Sequence, residues 1–562
     1  MRPSGPVWQR GPATTEKESD LKRRTLLSMT MLVIGASLLV AASFANAASG
    51  KADARGGTLR IDSTSDFDYV DPALSYFSHV WQVEHVTCEK LLGFADKEGE
   101  AGTRPSPQIA TGMPAVSKNG RTYTFTLKKN YQFSNGQPVT AQTFIYAWNR
   151  AMNPKMQSPA QSFMDVIQGA QAVFDGKAQT ATGLKAIGNY KLQVSLTKVA
   201  PDFLSRMTMP FFCPLPIGTP VVPEGIDAPV ASTGPYYIKE WTKKRSAVIA
   251  RNPNYKGPRT ANVDQITYEF GVQPAAGRLR LEANQTDLGV IPATAAAELV
   301  QKYGLNKGRF FIRKNLVFWY LAFNTDQALF KNNAKLRQGL NHAVDRPAMV
   351  RQHGFLGGGR TDQILPVGMP GFKDWNIYSL KGANPAKGKA VAGNNLRGGK
   401  ATMYTFNVSF GPTVAQVVQF NAKQIGLDVE IKQFDRVVEH EKMAVKGEPF
   451  DIGLEGWGAD YPDPSNFINV LLLGDENIRP DHNQNVSYFN VPAYNKRMKQ
   501  AATLSGDNRY KTYGLLDRDI TKNEGPLAPY INTNARILVG ERVKNFTYHT
   551  VAGTLLNVVT VQ

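Results

Sequence analysis

From about residue 57 onward, polar and apolar positions alternate in short bursts whose period changes along the chain. Gly57-Thr58-Leu59-Arg60-Ile61-Asp62 alternates with period two and predicts an exposed-edge strand. A helix is expected over residues 79–92. Asn119-Gly120, between apolar runs at 113–117 and 123–127, is a hairpin signal, because this turn needs residues that tolerate positive φ. Phe144, Trp148 and Met152 recur four apart behind Thr140, a suitable N-cap, and predict a helix over 141–152. Residues 192–196, 236–238 and 247–250 predict further strands, and 317–323 a nearly continuous buried one. A helix over 334–343 follows, and Asp345 opens another.

Residues 401–406, a helical stripe at Val414, Val417, Val418, Ala422 and Ile425, the stop at Gly426 and the alternating 427–431 make a β-α-β unit. The next apolar run, Ile452-Gly453-Leu454, is expected to join the same mixed sheet and to stop at Gly456. Trp457 through Pro464 is expected to leave the ladder, since Pro462 and Pro464 each lack a donor and fix φ. Such a strand presents its end where open α/β sheets bind ligands. Here it offers the Trp457 indole, the glycines Gly456 and Gly458, and the carboxylate of Asp460. Flat apolar surface beside one negative charge suits a ligand bearing an ammonium group. The competing reading is a loop with a structural tryptophan and capping aspartates.

Length and charge narrow the classes. A chain of 562 residues implies two or three domains. The net charge of +19 is spread without a run of five basic residues, so the clustered stripe of a nucleic-acid binder is missing. Lys22-Arg23-Arg24, the uncharged apolar stretch 26–44 and Ala45-Asn46-Ala47 have the form of a secretory signal peptide, with cleavage after Ala47; left uncleaved, the apolar stretch is just long enough to span a bilayer. The rest of the chain is then expected to be soluble and extracytoplasmic. Its two cysteines, Cys88 and Cys213, allow one disulfide or two buried thiols. The seven histidines show no metal-ligand spacing, and no metal or cofactor is expected. For an enzyme, Asp460 and Asp463 would be a candidate acid/base pair, but no GxSxG elbow or phosphate loop accompanies them. Gly357-Gly358-Gly359-Arg360 reads as a glycine-rich turn.

The order of several blocks resembles the family 5 extracellular solute-binding proteins of ABC importers, the oligopeptide- and dipeptide-binding type. These blocks are Gly57–Ile61, Leu91-Leu92-Gly93-Phe94, Phe133–Ala141, Arg251-Asn252-Pro253-Asn254-Tyr255, Phe323-Asn324-Thr325, Leu336–Arg346 and Gly456-Trp457-Gly458-Ala459-Asp460. The resemblance spans about residues 56–562. It implies a two-lobed α/β periplasmic-binding-protein fold (type II, large class) with an extra α/β domain inserted in the N-terminal lobe. Lobe I would comprise 56–92, 215–315 and 530–562, the inserted domain 93–214, and lobe II 316–529. Cys88 and Cys213 would flank the inserted domain, which favours their pairing.

The resemblance further implies a monomeric carrier, not an enzyme, that delivers a short peptide to a membrane permease served by ATPases. Asp460 would hold the ligand's α-ammonium and Trp457 would wall a side-chain pocket. Gly456 and Gly458 would permit close approach, and Tyr76, Phe77 and Phe434 would line the cleft. Some oligopeptide binders carry an arginine three residues before the tryptophan, against the ligand carboxylate; this chain has Leu454 there, with Glu455 beside it. That departure keeps metal chelates, haem, sugars and opines open as alternative ligands, and a secreted hydrolase as a more distant alternative.

Overall fold

Three sheets organise the chain. The first has four strands in the order Thr58–Asp62, Gln265–Glu269, Ser246–Arg251, Tyr236–Thr242, with the first pair parallel and the others antiparallel. Its alternating residues Leu59, Ile238, Ile249 and Ile266 share a core with Val80, Val83 and Val86 of the helix Ser78–Thr87. That helix stops at Thr87 and does not run to residue 92: Cys88 is extended, and Leu92–Phe94 is a strand paired with Pro105–Pro107. Cys88 is joined by a disulfide to Cys213, with the two Cα atoms 6.0 Å apart. The structure is a computed structural model and describes residues 55–562; the expected signal segment, residues 1–47, lies outside the described residues.

The second sheet is antiparallel, in the order Ala115–Val116, Thr122–Thr126, Lys191–Ser195, Leu184–Ala186. The helix Ala141–Met152 buries Phe144, Trp148 and Met152 in one core with Phe125, Leu192 and Val194. Its first turn is fixed by Thr143, whose hydroxyl accepts from the Thr140 N–H at 3.2 Å, satisfying a donor that the helix end leaves free.

The third sheet is mixed and six-stranded: Gly358–Arg360, Leu527–Leu538, Phe310–Phe323, Ile452–Gly458, Lys400–Phe406, Asp428–Phe434. Helices Ala334–Ala343 and Gly411–Gln424 contribute to the core on one face, and Ser465–Leu472, Pro492–Ala502 and Gly506–Asn523 to that on the other. The strand expected at 317–323 is twice as long, 14 residues, because the polar Arg313-Lys314-Asn315 interrupts the hydrophobic pattern without interrupting the pairing for long. Phe310 and Leu538 pack with Leu281, Ala296 and Leu299, whereas Leu321 and Ile531, further along the same two strands, belong to a core of the six-stranded sheet. The expected boundaries at 315/316 and 529/530 fall inside this long pair. The expected glycine-rich turn is instead the edge strand Gly358–Arg360, where a Cβ on Gly358 would stand 2.2 Å from the Asn532 carbonyl oxygen.

Candidate functional site

The strand Ile452–Gly458 continues two residues past the expected stop at Gly456. Trp457 is in register with Phe318 and Gly458 with Val317, since a glycine lowers strand propensity without removing a donor. The prolines act later: Ala459 still donates to the Leu316 carbonyl at 2.9 Å, and the chain turns through Pro462 and Pro464 into the helix Ser465–Leu472. On the opposite edge the pairing ends early. Met403 and Tyr404 oppose Ile452 and Gly453, and beyond Gly453 that edge has no strand partner among the described residues.

Asp460 follows this half-open strand and is fixed by Asn466, which the sequence reading missed. The Asp460 N–H donates to Asn466 Oδ1 at 3.0 Å, and Asn466 Nδ2 donates back to Asp460 Oδ2 at 2.8 Å. The Trp457 indole N–H donates to the Asn466 carbonyl at 2.8 Å, so one buried asparagine orients both residues. The second carboxylate oxygen, Oδ1, accepts from the Tyr76 hydroxyl at 2.8 Å, a bond between positions 384 residues apart. Burial pushes the Asp460 carboxyl up to about 6, against the lowering effect of the bonds from Asn466 and Tyr76. The Tyr76 hydroxyl is itself held well above its usual value by burial and by Asp460, so it remains a donor.

Tyr76 and Phe77 precede the helix Ser78–Thr87, and both of their N–H groups donate to Asp68 Oδ2, at 2.6 and 3.1 Å. Tyr76 as a residue is 41% exposed, yet its ring stacks on buried Phe211 at 5.9 Å, and Phe211 stacks on Phe163 at 5.6 Å. The structure thus brings Asp460, Trp457 and Tyr76 into one hydrogen-bonded group. Phe77 is 53% exposed and turns towards His79, with ring centres 5.7 Å apart. Phe434 packs on Tyr404 at 4.8 Å, at the end of the strand beyond Lys400–Phe406.

The glycines have a different neighbour from the one expected. A Cβ on Gly456 would lie 2.8 Å from the Trp319 ring, so that space belongs to an indole of the adjacent strand; on Gly458 it would meet Val317 at 3.3 Å. Leu454 is fully buried in the sheet core. Asp463, the second carboxylate of the acid/base reading, is committed elsewhere. It accepts from Arg509 at 2.8 and 2.9 Å, and both side chains are almost wholly buried. Tyr461 is buried in the core of the 115–195 sheet and donates to Asp202 Oδ2 at 3.2 Å. No three His, Cys, Asp or Glu side chains stand together as metal ligands among the described residues. What the geometry offers is a half-buried carboxylate bonded to a phenol and to an asparagine that also holds an indole, a setting whose chemistry suits an ammonium group.

Comparisons with known proteins identify the family and the fold. Residues 104–478 match the model of bacterial extracellular solute-binding proteins, family 5 Middle. The chain is 25% identical over 550 positions to the periplasmic oligopeptide-binding protein OppA of Salmonella typhimurium, covering 92% of this chain and 95% of that protein. It is 27% identical over 532 positions to the oligopeptide-binding protein OppA of Bacillus subtilis, covering 89% and 93%. Among solved structures it is similar to the clavulanic acid biosynthesis oligopeptide binding protein 2, with a TM-score of 0.83, 20% identity and coverage of 91% of this chain and 96% of that one. The chain belongs to the family 5 bacterial extracellular solute-binding proteins and has their two-lobed α/β fold.

Proposed function

We propose that this protein is the extracytoplasmic solute-binding component of an ABC importer and that it captures short peptides by their free amino end. The observation that carries this reading is Asp460, half-buried, bonded to Tyr76 and Asn466, and placed just beyond a strand whose other edge is unpaired from Leu454 to Gly458. A peptide laid along that edge gains main-chain hydrogen bonds irrespective of its side chains, and its ammonium group reaches the carboxylate. The names of the two OppA relatives, both oligopeptide-binding proteins, support the ligand class.

In this reading lobe I comprises 56–92, 215–315 and 530–562, the inserted domain 93–214 and lobe II 316–529, joined through the two long strands. Tyr76 and Asp460 then face each other across the cleft. Closure of the lobes buries the ligand, and a permease with its ATPases supplies the energy of transport. The experiment is calorimetric titration of the purified chain with trialanine and with N-acetyl-trialanine. Stoichiometric binding of the first, at least tenfold tighter than the second and without hydrolysis, is the expected result. Equal binding of the two would reject capture by the amino end, and release of alanine would point to an enzyme.

A further inference from the structure

At the unpaired edge, three donors converge on one carboxylate. Arg436 Nη2 and the main-chain N–H of Gly456 both donate to Glu455 Oε1, the latter at 2.9 Å, and His440 Nδ1 lies 2.8 Å from Oε2. A guanidinium, a ring N–H and an edge amide are a donor set for a carboxylate of any origin. Arg436 and His440 are each about one third exposed, at the open end of the sheet, while Glu455 is 3% exposed. The Arg436 guanidinium is held in place by the rings of Trp319 and Phe406, each 5.1 Å away.

Glu439, fully buried and one turn along the same helix, also accepts from Arg436, at 2.6 Å, and leaves its other oxygen without a partner. Burial and the charge of Glu455 raise the Glu439 carboxyl to about 8. Burial works against the charge on Glu455 as well, but the bond from His440 and the Arg436 charge hold it down to about 2. Arg436 is therefore already compensated. On the same helix Lys442 is paired with Glu448 at 2.7 Å, and on the strand before it Lys432 lies 4.0 Å from Glu430; Asp435 and Glu441 add negative charge to this stretch of sequence. Leu454, on the preceding residue, is sealed in the core.

We propose that Glu455 is a built-in substitute for a ligand carboxylate, so that the carboxyl end of a bound peptide goes unread and free acids and amides are accepted alike. This rests on the peptide reading above and assigns Glu455, with Glu439 as its reserve, the role of setting specificity. An acid-free donor set of Arg436, His440 and Gly456 N–H would select peptides of one length, whose carboxylate lands there. The chain fills the set itself and gives up that selection.

The test uses tri-, tetra- and penta-alanine, each as free acid, C-terminal amide and N-acetyl acid, titrated into the purified chain. Acid and amide are expected to bind within about threefold of each other at every length. In the Glu439→Gln/Glu455→Gln double variant the free acid is expected to gain at least tenfold over the amide at one length, because Arg436 then has no acid partner. A tenfold preference of the parent for free acids would overturn the proposal, and that comparison needs no variant. So would a double variant with parental circular dichroism and no acid preference. N-acetylation addresses the amino-end reading separately: insensitivity to it would sink that reading and leave the acid-to-amide comparison intact. Absence of binding by every peptide would overturn both.

Discussion

Replacing Asp460 by asparagine removes one charge and almost no volume. The neighbours can adapt: the Tyr76 hydroxyl both donates and accepts, and Asn466 carries both a donor and an acceptor, so the new amide finds partners in either orientation. The fold is therefore expected to survive. What disappears is the proposed partner of the ligand's ammonium. In a dry cleft, truncating one member of such a pair costs about 3–5 kcal/mol, mostly because the other charge is left unpaired. Asp460 is only half-buried, and water and the Tyr76 and Asn466 dipoles share its charge, so a smaller loss of roughly 1.4–3 kcal/mol, ten- to hundredfold, is the worked expectation. Isothermal titration at pH 7.5 with trialanine, on parent and D460N, reads it directly. N-acetyl-trialanine is the control, and its affinity should be the same for both proteins. Equal affinity of D460N and parent for the free amine, with parental circular dichroism, would refute the anchoring argument.

Other expectations follow from the same geometry. The ionised form of Asp460 is the one that pairs with an ammonium, so affinity for free-amine peptides should be nearly flat between about pH 6 and 7.5, below the range where the peptide's own amino group loses its proton, and fall by up to about tenfold per pH unit below pH 6. An affinity that does not change between pH 7.5 and 5 would contradict this. The same raised carboxyl binds a proton in the folded chain over a window, from its ordinary 3.8 to about 6, in which the unfolded chain has lost it, so its contribution to stability declines as pH rises through that window. Gly456→Ala pushes a methyl group into the Trp319 ring and should destabilise by about 1–3 kcal/mol, visible as a lower urea midpoint; an unchanged midpoint would show that Trp319 moves freely. Cys88→Ser with Cys213→Ser opens a loop of 125 residues and should cost about 2–5 kcal/mol, measured by denaturant titration against the parent with and without reductant. Parent and variant melting alike without reductant would argue against the bond.

Local regularities were legible because they are written locally. The helix Ala141–Met152 and the strand Lys400–Phe406 follow from caps and periodicity within a dozen residues. The errors arose where tertiary pairing overrode a local signal. Phe310–Phe323 keeps its strand through a charged stretch because Leu527–Leu538 supplies hydrogen bonds there, and no nearby residue announces that. The helix ending at Thr87 is shortened ahead of a cysteine whose partner lies 125 residues away. At the site, Trp457 and Asp460 stood out by composition, whereas Asn466 looks like any polar residue in the first turn of a helix. Its signal was only its spacing: nine residues after the tryptophan and six after the aspartate, across two prolines that force the chain back.

The two residues after Ala459 both reach into the same second body of the molecule, and this ties the site to the fold. Asp460 meets Tyr76, whose ring continues through Phe211 to Phe163 in the core of the 115–195 sheet. Tyr461 enters that same core directly and reaches Asp202, which Arg206 holds at 2.8 Å. The carboxylate and the residue beside it are thus both anchored to one body, while Asn466 and Trp457 anchor them to the six-stranded sheet. A displacement of either sheet relative to the other must strain the Asp460–Tyr76 bond or withdraw Tyr461 from its apolar surroundings. On the proposed reading, a ligand ammonium at Asp460 would act where the two bodies are already coupled, and it would need no separate relay to bias their arrangement.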